Sequence, residues 1–305
     1  MKENFFKKTI VVWAGALICC FLWGSAFPSI KIGYALFKIT STQIPSQILF
    51  AGIRFILAGI LAIAIGSMTH GKLLVPKKQS IEKIMKLSSL QTVGQYVLFY
   101  IGLAFTTGVR GSIVEGTNVF VAIFIACIIF HQEKISARKI SGTVLGFAGV
   151  VLINLKGTRS DANSLAWIGD ILIFLSTFCY GFSSVLLKHY STQENPIILS
   201  GYQFIFGGLI MAAAGYSAGG TLNCITTSGL MILAYLAFIS AVAYSLWGIL
   251  VKYNPISKVA IFGFMNPIFG VILSALLLDE GSILGTTGII ALLLTSLGIF
   301  IVNKE

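Results

Sequence analysis

Two ionisable side chains lie where charge is expensive. Arg54 falls about nine residues into an apolar block near 46–67, and Glu115 falls a turn or so into another near 109–131. Charged groups within such blocks face a protein interior or a cavity and mark ligand, coupling or ion-pair positions. Arg54 keeps its charge under all relevant conditions, and its guanidinium forks onto carboxylates. It reads as a clamp for a substrate carboxylate, as half of a structural pair, or as a side chain snorkelling to an interface. Glu115 stands in Val114-Glu115-Gly116-Thr117-Asn118. A carboxyl out of water is a candidate proton carrier or counter-ion for an amine. Its alternative partner is Arg110, five residues earlier. Arg54, Arg110 and Glu115 are thus the expected structural or coupling ion-pair residues.

Uncharged polar and aromatic groups recur at helical spacing around these two. Gln91, Gln95 and Phe99 are four apart, with Tyr96 and Tyr100 on an adjoining stripe. Asn118 follows Glu115 by three, so the two share a helix face. Trp23, Tyr180, Tyr244, Trp247 and Asn266 lie in other apolar blocks. Amides and aromatics converging between helices suit an uncharged or zwitterionic ligand. Lipid-belt aromatics and inter-helix hydrogen bonds are the plainer reading of any one of them. The expected substrate-facing set is Trp23, Gln91, Gln95, Tyr96, Tyr100, Glu115, Asn118, Tyr180, Tyr244, Trp247 and Asn266.

The elements that must hold these groups follow from composition. The chain is 56% hydrophobic and 10% charged, with a mean hydropathy of +0.93. Soluble chains carry roughly 25% charged residues, so 305 residues this poor in charge cannot cover a soluble surface. The apolar residues fall into blocks long enough to cross a hydrocarbon core of about 30 Å. Helices are expected near 11–32, 46–67, 84–106, 109–131, 137–155, 166–189, 197–217, 227–250, 257–278 and 283–302, with Pro45, Pro196 and Pro255 at or before helix starts. The fold class expected is an all-α integral membrane protein of ten transmembrane helices. With the N-terminus in the cytoplasm, fifteen of the 21 basic residues fall on the cytoplasmic side, five outside and Arg54 within a span. This basic asymmetry predicts a multi-pass cell-membrane protein with both termini cytoplasmic. The net charge of +11 therefore reads as loop topology rather than nucleic-acid binding.

The two halves repeat. Gly24 and Lys31 match Gly181 and Lys188 at an offset of 157, which also pairs Trp23 with Tyr180. Gly52, Phe55 and Gly59 match Gly201, Phe204 and Gly208 at 149, and this offset pairs Arg54 with Gln203. Tyr96 matches Tyr244 at 148, Glu133 matches Glu280 at 147, and Gly149 with Asn154 matches Gly298 with Asn303 at 149. The units expected are 1–155 and 156–305. Five helices per unit force the second copy to sit inverted, and inverted repeats place a transport site near the midplane between halves. Tyr96 and Tyr244 are expected to line one cavity from opposite halves.

Leu22-Trp23-Gly24-Ser25-Ala26-Phe27 to Lys31, Arg54-Phe55, Glu133 and Glu280 closing the fourth and ninth helices, and the glycine-rich fifth and tenth helices together resemble the drug/metabolite transporter superfamily, in its ten-helix EamA-like branch. The resemblance covers nearly the whole chain. It implies two inverted five-helix units around a central cavity lined chiefly by helices 1, 3, 4, 6, 8 and 9, exporting or exchanging small metabolites, amino-acid-like compounds or drugs. Many relatives carry a proline midway along helices 4 and 9. Here helix 9 has Asn266-Pro267, and helix 4 has Asn118-Val119-Phe120 instead.

Neither a nucleophile-elbow, a His-Glu-x-x-His nor a phosphate-loop motif occurs, so no enzymatic activity, ATP-driven pumping or cofactor is expected. The five cysteines and three histidines have no metal-ligand spacing. The expected partners are a small-molecule solute, the lipid bilayer and protons; a homodimer through Gly142-x3-Gly146 is the alternative to packing within the chain. A small-solute channel or a non-transporting membrane receptor or scaffold is the competing function. Saturable, counter-flow-stimulated flux separates a carrier from a channel.

Overall fold

Long apolar runs leave the backbone no water to bond, so helices form wherever the chain enters lipid. The computed structural model describes residues 2–130, 136–157, 165–254, 259, 261–280 and 285–303, which form helices joined by turns and loops with no strand among them. The helices are α1 (Lys2–Lys7), α2 (Thr9–Leu36), α3 (Ile44–His70), α4 (Ile81–Leu87), α5 (Tyr96–Phe105), α6 (Gly108–Glu115), α7 (Asn118–Phe124), α8 (Ala137–Gly157), α9 (Ala166–Tyr190), α10 (Pro196–Ser217), α11 (Thr227–Tyr253), α12 (Met265–Leu277) and α13 (Thr286–Asn303). Six stretches are long and apolar enough to cross a membrane: Thr9–Leu36, Ile44–His70, Gly108–Ile129, Ala166–Tyr190, Pro196–Ser217 and Thr227–Leu250. Shorter apolar helices accompany them. Helix starts carry the chemistry that orphan N–H groups need. The Asn195 side chain accepts from Ile197 N–H at 2.9 Å, and the Thr226 hydroxyl accepts from Gly229 N–H at 3.1 Å.

Two expected helices are irregular. The stretch expected as one helix near 84–106 is α4 and α5 joined by a π-helical segment, Ser88–Gln95. The helix expected near 109–131 is interrupted: α6 ends at Glu115, Gly116 and Thr117 form a turn, and α7 begins at Asn118. The Thr117 N–H bonds Val114 O at 3.0 Å, a three-residue closure that tightens the chain there. Helix 4 therefore breaks without a proline. On the Asn266-Pro267 side, a 3₁₀ turn over Ile261–Phe264 leads into α12. Glu133, His131, Lys134, Pro255 and Lys258 lie outside the described residues, as do the side chains of Asn154 and Asn303.

Helices pair across the chain: α3 lies on α10, α8 on α13, α2 against α11 and α12, and α9 against α5, α6 and α7. Glycine makes the closest of these approaches possible. A methyl on Gly52 would sit 2.3 Å from Ala212 N, and one on Gly59 would sit 2.5 Å from Gly201 O. A methyl on Gly298 would meet Gly142 O at 2.4 Å, so the Gly142–Gly146 stripe serves packing within the chain.

One polar latch ties the 71–80 segment to the α9–α10 turn. Glu194 accepts from the Ser80 hydroxyl at 2.7 Å and from the N–H groups of Asn195 and Lys77 at 3.0 and 3.3 Å. Burial pushes the Glu194 carboxyl up, but these hydrogen bonds outweigh it and hold the group below its ordinary value.

Candidate functional site

The irregular stretches carry the polar residues singled out above. Gln91 and Gln95 lie on the π segment, Glu115 and Asn118 flank the break between α6 and α7, and Asn266 stands in the first turn of α12. Departures from α geometry inside apolar helices gather at functional sites.

At the centre the hydroxyls of Tyr96 and Tyr244 meet at 2.5 Å, both side chains buried. The Tyr244 ring packs on Trp23 at 5.4 Å, and Trp23 packs on Trp247 at 5.1 Å. Phe55 and Phe204 stack at 5.3 Å beneath them, Phe55 against Tyr96 at 4.4 Å and Phe204 against Tyr244 at 5.0 Å. Offset and edge-on ring contacts of this kind each add stability beyond area burial.

Arg54 is buried beside this cluster. Its Nε donates to Leu236 O at 3.1 Å, one terminal nitrogen donates to Ser240 Oγ at 2.9 Å, and the other donates to the Tyr100 hydroxyl. The guanidinium lies 4.8 Å from the Phe55 ring centre and 5.7 Å from that of Tyr100. Tyr100 is thus held by Arg54 and, through its carbonyl, by the Tyr34 hydroxyl at 3.0 Å. Arg54 forms no ion pair among the described residues; carbonyl, hydroxyls and rings support its charge. Gln203, its repeat partner, donates to Gln91 Oε1 at 2.6 Å.

The expected association of Arg110 with Glu115 is corrected. Arg110 makes a buried ion pair with Asp170 across to α9, with Nη2 and Nε at 2.5 and 3.2 Å from Oδ2. Thr106 holds the other carboxylate oxygen at 2.7 Å. The five-residue spacing of Arg110 and Glu115 puts their side chains on different sides of α6, which is why the pair does not form. Asp170 is absent from the expected set, although an acid four residues into an apolar block meets the criterion that singles out Glu115. Another helix-end contact also went unread. Glu280 accepts from the N–H groups of Gly108 and Val109 at 3.2 and 3.0 Å, capping α6 from the end of α12.

Glu115 lies between Asn118 and Ser176 of α9. Its Oε1 accepts from Asn118 Nδ2 at 3.3 Å, while Oε2 is buried with none. Three more members of the expected set carry buried polar atoms without a partner: Trp23 Nε1, Gln95 Oε1 and Asn266 Oδ1. Tyr180 is half-buried on α9. The structure therefore groups Trp23, Tyr96, Tyr244 and Trp247 directly, with Gln95 next in chain to Tyr96. It holds Gln91, Tyr100 and Arg54 in bonds within the protein.

The comparisons agree with this architecture. One crystal structure matches with a TM-score of 0.64 over 97% of this chain and 98% of that chain at 14% identity, a likeness of fold. An uncharacterized transporter of Archaeoglobus fulgidus is 28% identical over 85% of this chain and 86% of its own. A chloroplastic WAT1-related protein of Arabidopsis thaliana is 23% identical over 97% of this chain and 70% of its own. An uncharacterized inner membrane transporter of Escherichia coli, YedA, is 24% identical over 88% of this chain and 83% of its own. The model of the EamA-like transporter family matches residues 10–155 and again 167–304. The protein, a multi-pass membrane transporter by this kinship, belongs to the EamA-like transporter family.

Proposed function

We propose that this chain is a secondary transporter, an exporter or exchanger of a small metabolite, amino-acid-like compound or drug, working by alternating access between two inverted five-helix halves. The observation that carries the reading is that contacts survive exchange of the halves. Gly52 opposes Gly208 and Gly59 opposes Gly201; swapping repeat-equivalent residues turns the first contact into the second. Phe55 and Phe204 are equivalents in contact, as are Tyr96 and Tyr244. The pairing of α2 with α11 and α12 becomes that of α9 with α5 and with α6 and α7. Such a pattern fits a pseudo-two-fold axis; with five spans per half that axis lies in the membrane plane, which supplies two packings of similar free energy, one open to each side.

The solute site in this reading lies on the axis, at the Tyr96–Tyr244 pair under Trp23 and Trp247. Opening to one side separates the two hydroxyls, and closure re-forms their bond behind the solute. Glu115 takes up and releases a proton during the cycle, with Asn118 as its neighbour in the closed form. Both termini are cytoplasmic, in the cell membrane, and ten segments cross.

Purified protein in liposomes preloaded with solute tests this. Counter-flow should stimulate labelled-solute uptake, and uptake should saturate; flux linear in concentration and indifferent to preloading marks a channel instead. At saturating solute, Glu115→Gln should remove the pH dependence of net uptake while exchange continues. Unchanged pH dependence would return Glu115 to a structural role.

A further inference from the structure

We infer that the central site takes a hydrogen-bond-donating organic cation: a protonated primary or secondary amine with an aromatic or apolar body. The inference rests on the solute site proposed above and names the class of solute it accepts.

The site leaves buried polar groups unmet. Buried polar atoms in folded proteins have partners, and each exception calls for a reason. Here Glu115 Oε2, Gln95 Oε1, Asn266 Oδ1 and the indole Trp23 Nε1 are buried without one. Three of the four are oxygens: the two amide oxygens only accept, and Glu115 Oε2 accepts in the ionised form, the form a bound cation holds. A ligand that satisfies them must bring N–H groups. A carboxylate or phosphate ligand could accept from Trp23 Nε1 but would leave the three oxygens unmet and face the Glu115 charge.

Helix packing places two of the three at one level. α6 and α12 run antiparallel, with Gly108 against Ser274 and Ser112 against Gly270. The next turn of that register sets Glu115 beside the Asn266-Pro267 turn. Phe269 rests on Phe21 with ring centres 5.5 Å apart and Gly24 lies against Phe269 and Gly270, which brings Trp23 within about one helical turn of that level on α2. The walls there are aromatic: Trp23 packs against Tyr244 and Trp247, and Tyr244 bonds Tyr96. Aromatic faces attract cations, and a desolvated carboxylate supplies the counter-charge.

The cations buried among the described residues sit elsewhere: Lys31, near the C-terminal end of α2, lies by Glu280. Arg110 is paired with Asp170, and Arg54 is held by Leu236 O, Ser240 and Tyr100, 6.0 Å from the Tyr96 ring centre. Arg54 stays out of the ligand site in this arrangement and stiffens the wall behind Tyr96 and Tyr100.

The acceptors also set selectivity within cations. An aromatic box alone accepts a quaternary ammonium, which has no N–H. Unmet oxygens reject it, because burying them against methyl groups leaves them unbonded.

The test uses full-length protein in lipid nanodiscs, with intrinsic tryptophan fluorescence as readout. The probes are phenethylamine, its N,N,N-trimethyl analogue, 2-phenylethanol and 3-phenylpropionate. Phenethylamine should bind at least tenfold tighter than each of the others. Glu115→Gln should weaken phenethylamine at least tenfold and leave 2-phenylethanol unchanged. Glu115→Asp, which keeps the charge, should recover part of the loss, and this separates charge from misfolding. Equal binding of the trimethyl analogue, preference for the anion, or amine binding indifferent to Glu115→Gln would overturn the inference. If the alcohol or the anion wins and the signal disappears in Trp23→Phe, the site stands and only the cation class fails. If no probe binds and Tyr96→Ala and Tyr244→Ala transport normally, the site fails with it.

Discussion

The Tyr96–Tyr244 contact joins the two halves through one hydrogen bond, and removing single hydroxyls measures what it does. Tyr96→Phe and Tyr244→Phe keep the rings, so the stacking of Phe55 on Tyr96 at 4.4 Å and of Trp23 on Tyr244 at 5.4 Å is retained. Both side chains are 8% exposed, so the hydroxyl left behind has no bulk water to turn to. An orphaned buried hydroxyl costs about 1–3 kcal/mol, whereas removing both partners leaves no orphan and costs about 1 kcal/mol or less. The double variant should therefore be no less stable than either single variant, with a coupling energy of about 1–2 kcal/mol. For a chain of this size 1 kcal/mol corresponds to about 2 °C in Tm. Each single variant should melt about 2–6 °C lower in detergent, and the double variant should recover part of that loss. Strict additivity of the two losses would mean that the hydroxyls do not depend on each other, and would refute the contact.

Two further perturbations follow from the packing and the latch. Gly52→Ala puts a methyl 2.3 Å from Ala212 N, a backbone atom that cannot swing away, so α3 and α10 must part. Overpacking of this kind costs about 1–3 kcal/mol, read as reduced expression and lower Tm, while Ala64→Leu on an exposed turn of the same helix should stay within about 0.5 kcal/mol of the parent. Glu194 has a folded-state value held below that of the unfolded chain, near 4.3, so its contribution is present above that pH. That contribution drains away as pH falls through the folded value. A Tm-against-pH curve should therefore drop in acid, and Glu194→Gln should flatten the drop; an identical acid limb in the variant would show that the latch contributes nothing.

Much of this architecture is legible in the chain because lipid leaves few choices. Apolar blocks bounded by Pro45, Pro196 and the basic loops place α2, α3, α10 and α11 to within a few residues. The Tyr96–Tyr244 contact is also foreseeable, since equivalents near a two-fold axis must approach one another. What escapes is set by contacts that spacing does not encode. The Arg110–Asp170 pair joins residues 60 positions apart, and nothing local to Arg110 announces it. The break at Gly116–Thr117 has no proline to signal it and shows only as a three-residue hydrogen bond. Gln91 looks like a ligand group from its spacing on one face, yet Gln203 of the other half takes its oxygen.

Alternating access of this kind requires the second half to be an inverted copy of the first, and two turns test that together. Ser41, in the α2–α3 turn, and Thr192, in the α9–α10 turn, occupy equivalent places in the two halves. With the five native cysteines replaced, Ser41→Cys and Thr192→Cys should each react with a membrane-impermeant maleimide from one side only. Ser41→Cys should label from outside intact cells, and Thr192→Cys only after the membrane is opened. Labelling of both positions from the same side would contradict inversion and with it the alternating-access reading.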